Sequence, residues 1–256
     1  MSTYEFHELK TEDGIAEITL NRPPLNVLNI AMMVELNSLL ETVLGVDRPI
    51  AVVFRAANKA FSAGVDVSDH TADKVGEMIR QFHGIFRKLA ATDSLSIAAV
   101  NGAALGGGCE LATFCDIVLA SERAKFGQPE VQVGVLPPVA ACVFPAQIGL
   151  KKAVELNAIG MTIKAAEAKA IGLVNQVYPV EAFDERVNKY LDEIRKLSRP
   201  VVQMAKRATT MVVREQVLAH LERVERLYLD ELMKLSDAHE GLAAFVEKRT
   251  PNWKHV

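Results

Sequence analysis

The sequence has 256 residues, of which 50% are hydrophobic and 24% charged, as in a globular chain that buries a sizeable core. Its net charge of −3 argues against a nucleic-acid-binding protein, because phosphate binding requires a local excess of lysine and arginine. The three cysteines, Cys109, Cys115 and Cys142, form no CxxC pair, which argues against a zinc knuckle or a disulfide framework and favours a reducing compartment.

The N-terminal segment MSTYEFHELKTEDG is charged and lacks the apolar core of a signal peptide. No run reaches the roughly 18 apolar residues that a membrane span requires. We therefore expect a cytoplasmic protein with no membrane partner.

The predicted elements begin with a hairpin, because two alternating runs flank the turn signal EDG. Short apolar runs rich in β-branched residues, at 50–57, 96–102 and 115–121, predict buried strands. Apolar residues spaced three and four apart predict helices between them, in IAMMVELNSLLETVL and ADKVGEMIRQFHGIFRKLAA. Strands that alternate with helices indicate an α/β core.

From about residue 180 the pattern is helical only, and VLAHLERVERLYLDELMKL is strongly amphipathic. We expect this tail to pack on something other than its own sheet, with a neighbouring subunit as the natural candidate. The alternative is a helical layer over the same core.

Three consecutive glycines, Gly106 to Gly108, lie where an apolar strand meets a new helix, and Glu110 follows them. They match neither a phosphate-binding P-loop, which needs a following lysine, nor the dinucleotide spacing G-x-G-x-x-G. Two interpretations remain open. The glycines allow close packing of helix on strand, or they expose backbone N–H groups at a helix N-terminus that polarise a carbonyl oxygen. In the second interpretation Glu110 reaches the same cavity.

Two further stretches have related chemistry. SAGVD, residues 62–66, follows a predicted strand and again exposes backbone N–H groups at a strand end, where ligands bind in α/β sheets. Glu130 follows Gln128 and Pro129, and the proline restricts the local chain and directs the next side chain. Either glutamate taken alone is more typical of a solvated surface charge.

Together, KAFSAGVD, AAVNGAALGGGCELATFCDIVLASERAKFGQPEVQVGVLP and GLAAFVEKR resemble the crotonase family of enoyl-CoA hydratases and isomerases, over about residues 5–250. The resemblance implies an α/β crotonase-type spiral of repeated ββα units in residues 1–195, carrying the CoA and active sites. It implies a helical C-terminal region in residues 196–256 that serves trimerisation. It further implies a homotrimer or a dimer of trimers and no cofactor, since CoA is part of the acyl-CoA thioester substrate.

The resemblance also implies the site residues. The N–H groups of Val65 and Gly107 correspond to the oxyanion hole, and Glu110 and Glu130 to the catalytic carboxyl groups. The presence of both carboxyl groups favours hydration over isomerisation, because hydration must activate a water and deliver a proton to carbon. The remaining implied residues bind substrate and CoA (Ala63, Asp66, Val67, Gly106, Pro137, Lys248) or line the acyl pocket (His70, Pro138, Val139).

Two further features suggest a metal site and a reactive cysteine, but neither has the pattern that such a site needs. Asp66, Asp69 and His70 lie close together in DVSDH, but a metal site needs more ligands, so we predict no metal. Cys109 adjoins Glu110, yet one step along a helix turns a side chain by about 100°. We interpret Cys109 as a small buried hydrophobic residue, and His70 either as a pocket residue or as a solvated or hydrogen-bonded histidine.

The stretch GVLPPVAACVFPAQIGL departs from the glycine-rich run common in family hydratases, which predicts a stiffer, more apolar loop and a differently shaped acyl pocket. With NRPPLNVLNIAMM and residues 64–89, it is similar to the cyclohexa-1,5-diene-1-carbonyl-CoA hydratases of anaerobic aromatic degradation by way of benzoyl-CoA. The alternatives are a short-chain enoyl-CoA hydratase, an isomerase or a thioester hydrolase. An alternative of another class is a catalytically idle crotonase-like protein that binds RNA or a protein partner.

Overall fold

The computed structural model describes residues 4–45 and 48–256. Its main sheet has six strands in the order β1-β2-β3-β4-β6-β9, antiparallel between β1 and β2 and parallel elsewhere. These strands are β1 (His7–Glu12), β2 (Ile15–Leu20), β3 (Ala51–Ala56), β4 (Leu95–Val100), β6 (Ile117–Ser121) and β9 (Gln176–Tyr178). A second sheet holds β5 (Ala103–Leu105), β7 (Lys125–Gly127) and β8 (Thr162–Lys164).

The predicted hairpin and strands are confirmed. β1 and β2 are joined at Asp13 and Gly14, both with positive φ, which is the backbone of the Asp-Gly hairpin turn. Alternate residues of the parallel strands belong to two separate apolar clusters, with Phe54 in one and Val53 in the other. Both faces of the sheet are therefore covered, as the continuous apolar runs predicted.

The described helices are α1 (Ile30–Val43), α2 (Val75–Ala91), α3 (Gly107–Phe114), α4 (Pro138–Ile148), α5 (Leu150–Ile159), α6 (Ala165–Ala170), α7 (Phe183–Arg195), α8 (Arg199–Arg226) and α9 (Ser236–Val246). The predicted helices over α1 and α2 are confirmed. α1 begins at Asn29, whose side chain accepts a hydrogen bond from the Met32 N–H at 2.9 Å, as an N-cap residue does. Within the described residues, no helix has the length and apolar character needed to cross a bilayer.

The tail is helical, as predicted, but it packs on its own sheet, which was not the predicted arrangement. Phe183, Val187 and Leu191 of α7 pack with the strand residues of one sheet face. Val217 and Leu221 of α8 join the main core on the other. The structure thus shows the alternative arrangement, a helical layer over the same core. The predicted boundary between residues 195 and 196 falls at the end of α7, and a role for 196–256 in trimerisation stays a prediction.

Candidate active site

A cavity of about 330 Å³ brings the three predicted stretches together. Its wall comes from the loop after β3, the middle of α2, the start of α3, the 3₁₀ turn Pro129–Val133 and the C-terminal tail. A larger cavity of about 530 Å³ lies between α8 and the core and includes none of the predicted site residues. The smaller cavity is therefore the candidate active site.

The backbone directs the N–H group of Val65 toward this cavity. Leu28 N–H donates to the Gly64 carbonyl at 2.8 Å, and Asp66 N–H donates to the Leu28 carbonyl at 2.9 Å. The Gly64 carbonyl and the Val65 N–H belong to the same trans peptide group and point in opposite directions. The Val65 N–H therefore faces away from Leu28. Among the residues that the structure describes, it has no hydrogen-bond partner.

The N–H group of Gly107 is arranged in the same way at the first residue of α3. The Gly106 carbonyl accepts from the Glu110 N–H at 2.9 Å along the helix, so the Gly107 N–H points out of the helix N-terminus. Gly107 and Val65 both line the cavity, as predicted. The site therefore offers two backbone donors to an oxygen atom that acquires negative charge.

The glycine run serves close packing as well as the site. A Cβ atom on Gly106 would lie 2.9 Å from Oε1 of Glu130, and one on Gly107 would lie 2.7 Å from Cγ2 of Val65. A Cβ atom on Gly108 would lie 2.5 Å from Cβ of Ser62. The two interpretations left open by the sequence are thus compatible, because the same absence of side chains brings the loop of Val65 and the carboxyl group of Glu130 against α3.

Glu110 is buried on α3, and the N-terminus of α4 holds its carboxyl group. Its Oε1 accepts hydrogen bonds from the N–H groups of Val139 at 2.7 Å and Ala140 at 2.8 Å. Burial raises the pKa of Glu110 to about 7, although these two donors act in the opposite direction by stabilising the charged form. The carboxyl group therefore titrates near neutral pH.

These contacts correct the expectation of an apolar loop after Glu130. Residues 138–148 form α4, which begins with Pro138 in its first turn. Proline suits that position because its fixed φ matches a helix and no N–H is needed there. The next two N–H groups of the turn lack intrahelical partners and are taken up by Glu110.

Glu130 lies on the 3₁₀ turn Pro129–Val133 and faces the same cavity. Burial and, next, the negative charge of Glu110 raise the pKa of Glu130 well above its ordinary value. With its amide turned so that Nε2 faces the site, Gln128 donates to Oε1 of Glu130 at 3.1 Å and to the Gly106 carbonyl at 3.2 Å. The two glutamates thus form an interacting pair that favours one negative charge over two.

The other predicted site residues divide into two groups. Ala63, Val67, His70, Gly106 and Pro138 line the cavity. His70 is also hydrogen-bonded, with Nδ1 3.0 Å from the Asp66 carbonyl oxygen, and burial lowers its pKa, so both interpretations of this histidine apply.

Four predicted residues do not line the cavity. Val139 is fully buried outside the lining of the cavity and donates its N–H to Glu110, so its place in the acyl pocket stays a prediction. Asp66 accepts hydrogen bonds from the N–H and hydroxyl of Ser68, Pro137 is buried before α4, and Lys248 is exposed after α9. Contacts of these last three residues with CoA stay predictions.

Two neighbouring residues have structural roles. Asp69 accepts from the Ile30 N–H at 2.9 Å, at the start of α1. Cys109 is completely buried, which confirms its interpretation as a small hydrophobic residue, and burial raises the pKa of its thiol.

The apolar side of the cavity was not predictable from the sequence pattern. Met78, Ile79 and Phe82 of α2 line it, as do Tyr228, Leu242 and Phe245 of the tail. Their helical spacing is that of ordinary core residues, so periodicity alone did not distinguish them. The tail of this chain therefore closes the chain's own candidate site.

Comparison with known proteins identifies the class. Residues 10–256 match the model of the enoyl-CoA hydratase/isomerase family. The chain therefore belongs to this family, also called the crotonase family. It is an enzyme of the hydro-lyase type.

Particular relatives span nearly the whole chain. A probable enoyl-CoA hydratase of Rhizobium meliloti is 39% identical over 99% of this chain and 99% of its own. A cyclohexa-1,5-dienecarbonyl-CoA hydratase of Thauera aromatica is 34% identical over 96% and 95%. The crystal structure of an enoyl-CoA hydratase from Mycobacterium avium subsp. paratuberculosis superposes with a TM-score of 0.89 at 28% identity, covering 98% of this chain and 100% of that one.

Proposed function

We propose that this enzyme adds water to a carbon–carbon double bond conjugated with a CoA thioester. The observation that carries the proposal is that one cavity joins two backbone N–H donors to a pair of carboxyl groups with raised pKa values. The donors match the oxygen that becomes negative, and the carboxyl groups match the two proton transfers. We expect no cofactor, because the CoA belongs to the substrate.

In the proposed reaction the thioester oxygen binds between the N–H groups of Val65 and Gly107. Glu110 takes a proton from water as the hydroxyl adds to the alkene, and the displaced electron pair moves onto the thioester oxygen. Glu130 then gives its proton to carbon, and one proton passes from Glu110 to Glu130 to restore the pair. One oxyanion donor in other enzymes supplies about 2.7–4 kcal/mol of transition-state stabilisation.

The hydrogen bonds support this division of roles. Two backbone N–H groups stabilise the charged form of Glu110. Within the described residues, the carboxyl group of Glu130 receives a backbone N–H bond only from its own residue, beside the bond from the side chain of Gln128. Glu110 is therefore the first to ionise and acts as the base. Glu130 keeps its proton and acts as the acid.

The rate is expected to depend on pH through this pair. Because Glu110 must be deprotonated, kcat/KM rises with pH up to about 7, the pKa of that group in the free enzyme. Because Glu130 must be protonated, kcat/KM falls again as pH rises through its higher pKa. Initial rates between about pH 5 and 10 measure both limbs. A profile without an acidic limb near neutral pH would contradict the role of Glu110.

Among conjugated thioesters, we propose cyclohexa-1,5-diene-1-carbonyl-CoA as the substrate, within anaerobic degradation of aromatic compounds. Support comes from the Thauera aromatica relative and from the apolar lining of the cavity, which includes Met78, Ile79, Phe82 and Leu242. A straight short-chain enoyl-CoA is the alternative, because the same two carboxyl groups serve it.

An assay of both thioesters tests this substrate. We expect kcat/KM for the cyclic dienoyl-CoA to exceed that for crotonyl-CoA at least tenfold, roughly the discrimination that one or two apolar contacts supply. The product gains the mass of one water. A preference for crotonyl-CoA would assign the enzyme to short-chain hydration, a shifted double bond without mass gain to isomerisation, and free CoA to thioester hydrolysis.

We also propose that the chain forms a homotrimer or a dimer of trimers in the cytoplasm. Support for assembly comes from large apolar side chains left exposed along α8, among them Val201, Met204 and Val212. Light scattering after size-exclusion chromatography measures the number of subunits, and a monomer would contradict the proposal.

A further inference from the structure

Tyr228 is a tail residue that lies inside the candidate active site. It belongs to the π-helical turn Leu227–Glu231, which follows α8 directly. Its side chain is 99% buried and lines the cavity that holds Glu110 and Glu130. Single π-helical turns are frequent at functional sites, because they redirect side chains out of the regular helical register.

Within the part of the chain that the structure describes, none of the side-chain hydrogen bonds involves the hydroxyl group of Tyr228, which lines the cavity. Buried phenol groups usually have a hydrogen-bond partner. Two other uncharged polar side chains of the cavity already make contacts with the backbone, since Nδ1 of His70 lies 3.0 Å from the Asp66 carbonyl oxygen and Nε2 of Gln132 donates to the Gly160 carbonyl at 3.0 Å. Tyr228 is thus left with a donor for a ligand.

The surroundings keep this hydroxyl group protonated. Burial, and then the negative charges of Glu130 and Glu110, raise the pKa of Tyr228 above its ordinary value. The phenol therefore presents a neutral O–H donor beside the two groups that handle protons. An oxygen atom that stands between these carboxyl groups and the alkene is the natural acceptor.

Its position is held by a contact between helices. Glu225, three residues earlier on α8, has its Oε2 2.7 Å from Nδ1 of His83 and accepts from Nη2 of Arg87 at 2.7 Å. His83 follows Phe82, which lines the same cavity. The end of α8 is therefore tied to the part of α2 that forms the acyl side of the site.

We propose that the Tyr228 hydroxyl group donates a hydrogen bond to the oxygen atom that is added to the substrate, first as water and then as the product hydroxyl. This inference rests on the proposed hydration. It makes Tyr228 a specificity-determining residue that selects the position of the attacking water, while Glu110 and Glu130 carry out the proton transfers.

Replacing Tyr228 by phenylalanine tests the inference, because the ring and its packing remain and only the hydroxyl group is lost. The readout is the affinity for two ligands that differ by one hydroxyl group, measured from how each one inhibits the initial rate of hydration. If the enzyme hydrates crotonyl-CoA, the two ligands are 3-hydroxybutyryl-CoA and butyryl-CoA. If it hydrates the cyclic dienoyl-CoA, they are the hydroxylated cyclic product and cyclohexanecarbonyl-CoA. The pair of ligands is chosen after the assay has shown which thioester the wild-type enzyme hydrates.

In Y228F we expect the affinity for the hydroxylated ligand to fall roughly three- to tenfold, as for loss of one neutral hydrogen bond, with the affinity for the saturated ligand unchanged. We expect kcat to fall by a similar factor. Y190F is the matched control, since Tyr190 packs on the opposite face of the sheet, and it should leave both affinities unchanged.

The outcomes separate this inference from the proposed function. An equal loss of affinity for both ligands, or no loss for either, would overturn the role of Tyr228 in an enzyme that still hydrates. A wild-type protein that hydrates neither crotonyl-CoA nor the cyclic dienoyl-CoA would overturn the proposed function itself.

Discussion

Replacement of Glu130 by glutamine is expected to lower kcat for hydration by about 10²–10⁴-fold, the range that a positioned acid or base contributes. The amide has nearly the same shape, so the 3₁₀ turn and its contact with Gly106 remain, but it has no acidic proton to give to carbon. Initial rates with the preferred thioester measure the effect.

E222Q is the matched control for this variant. Glu222 lies on the exposed face of α8, outside the cavity, so its replacement should leave kcat unchanged. Circular dichroism and a melting curve establish that E130Q is folded. A folded E130Q enzyme with near-wild-type turnover would show that Glu130 is not the acid.

Replacement of Glu110 by glutamine is expected to lower hydration by a similar factor of about 10²–10⁴, for a different reason. A glutamine carbonyl can accept both N–H groups of α4 at the place where Oε1 does now, so the fold is retained. What is lost is the carboxylate that we propose takes a proton from water.

Proton exchange distinguishes the two glutamates. In D₂O, exchange at the α-carbon of butyryl-CoA needs the oxyanion donors and Glu130 but no water addition. Without the charge of Glu110, the pKa of Glu130 falls, so its carboxylate form is available to remove the α-proton. E110Q should therefore keep exchange within about tenfold of wild type, while E130Q loses it by about 10²–10⁴-fold. The opposite pattern would reverse the two roles.

The parts of the site that were predictable from sequence are those that depend on local backbone chemistry. Glycines at a strand-to-helix junction allow a close approach of the backbone, and the proline before Glu130 restricts the local chain. Both effects act within a few residues, so they can be predicted from the residue types alone. The hairpin with Asp13 and Gly14 at its turn, the buried strands and the long amphipathic helices follow from equally local patterns.

The rest depends on contacts between distant segments. Val139 illustrates this, because its contribution to the site is a backbone N–H, which no side-chain pattern reveals. Tyr228 and Leu242 have the spacing of core residues, and only the docking of the tail against α2 brings them to the cavity. For the same reason, the tail's packing on its own sheet was not readable from its amphipathic pattern.

The way in which Glu110 is held has a stereochemical consequence. The N–H groups of Val139 and Ala140 in α4 both donate to the same oxygen, Oε1. No hydrogen bond from the described residues reaches Oε2, so Oε2 is the atom that accepts a proton from water in the proposed reaction. An acceptor fixed in one orientation admits the nucleophile from one direction. In the proposed reaction, a planar alkene whose thioester oxygen is anchored by Val65 and Gly107 presents only one of its faces to that nucleophile. We therefore expect hydration by this enzyme to form a single enantiomer at the new carbinol centre.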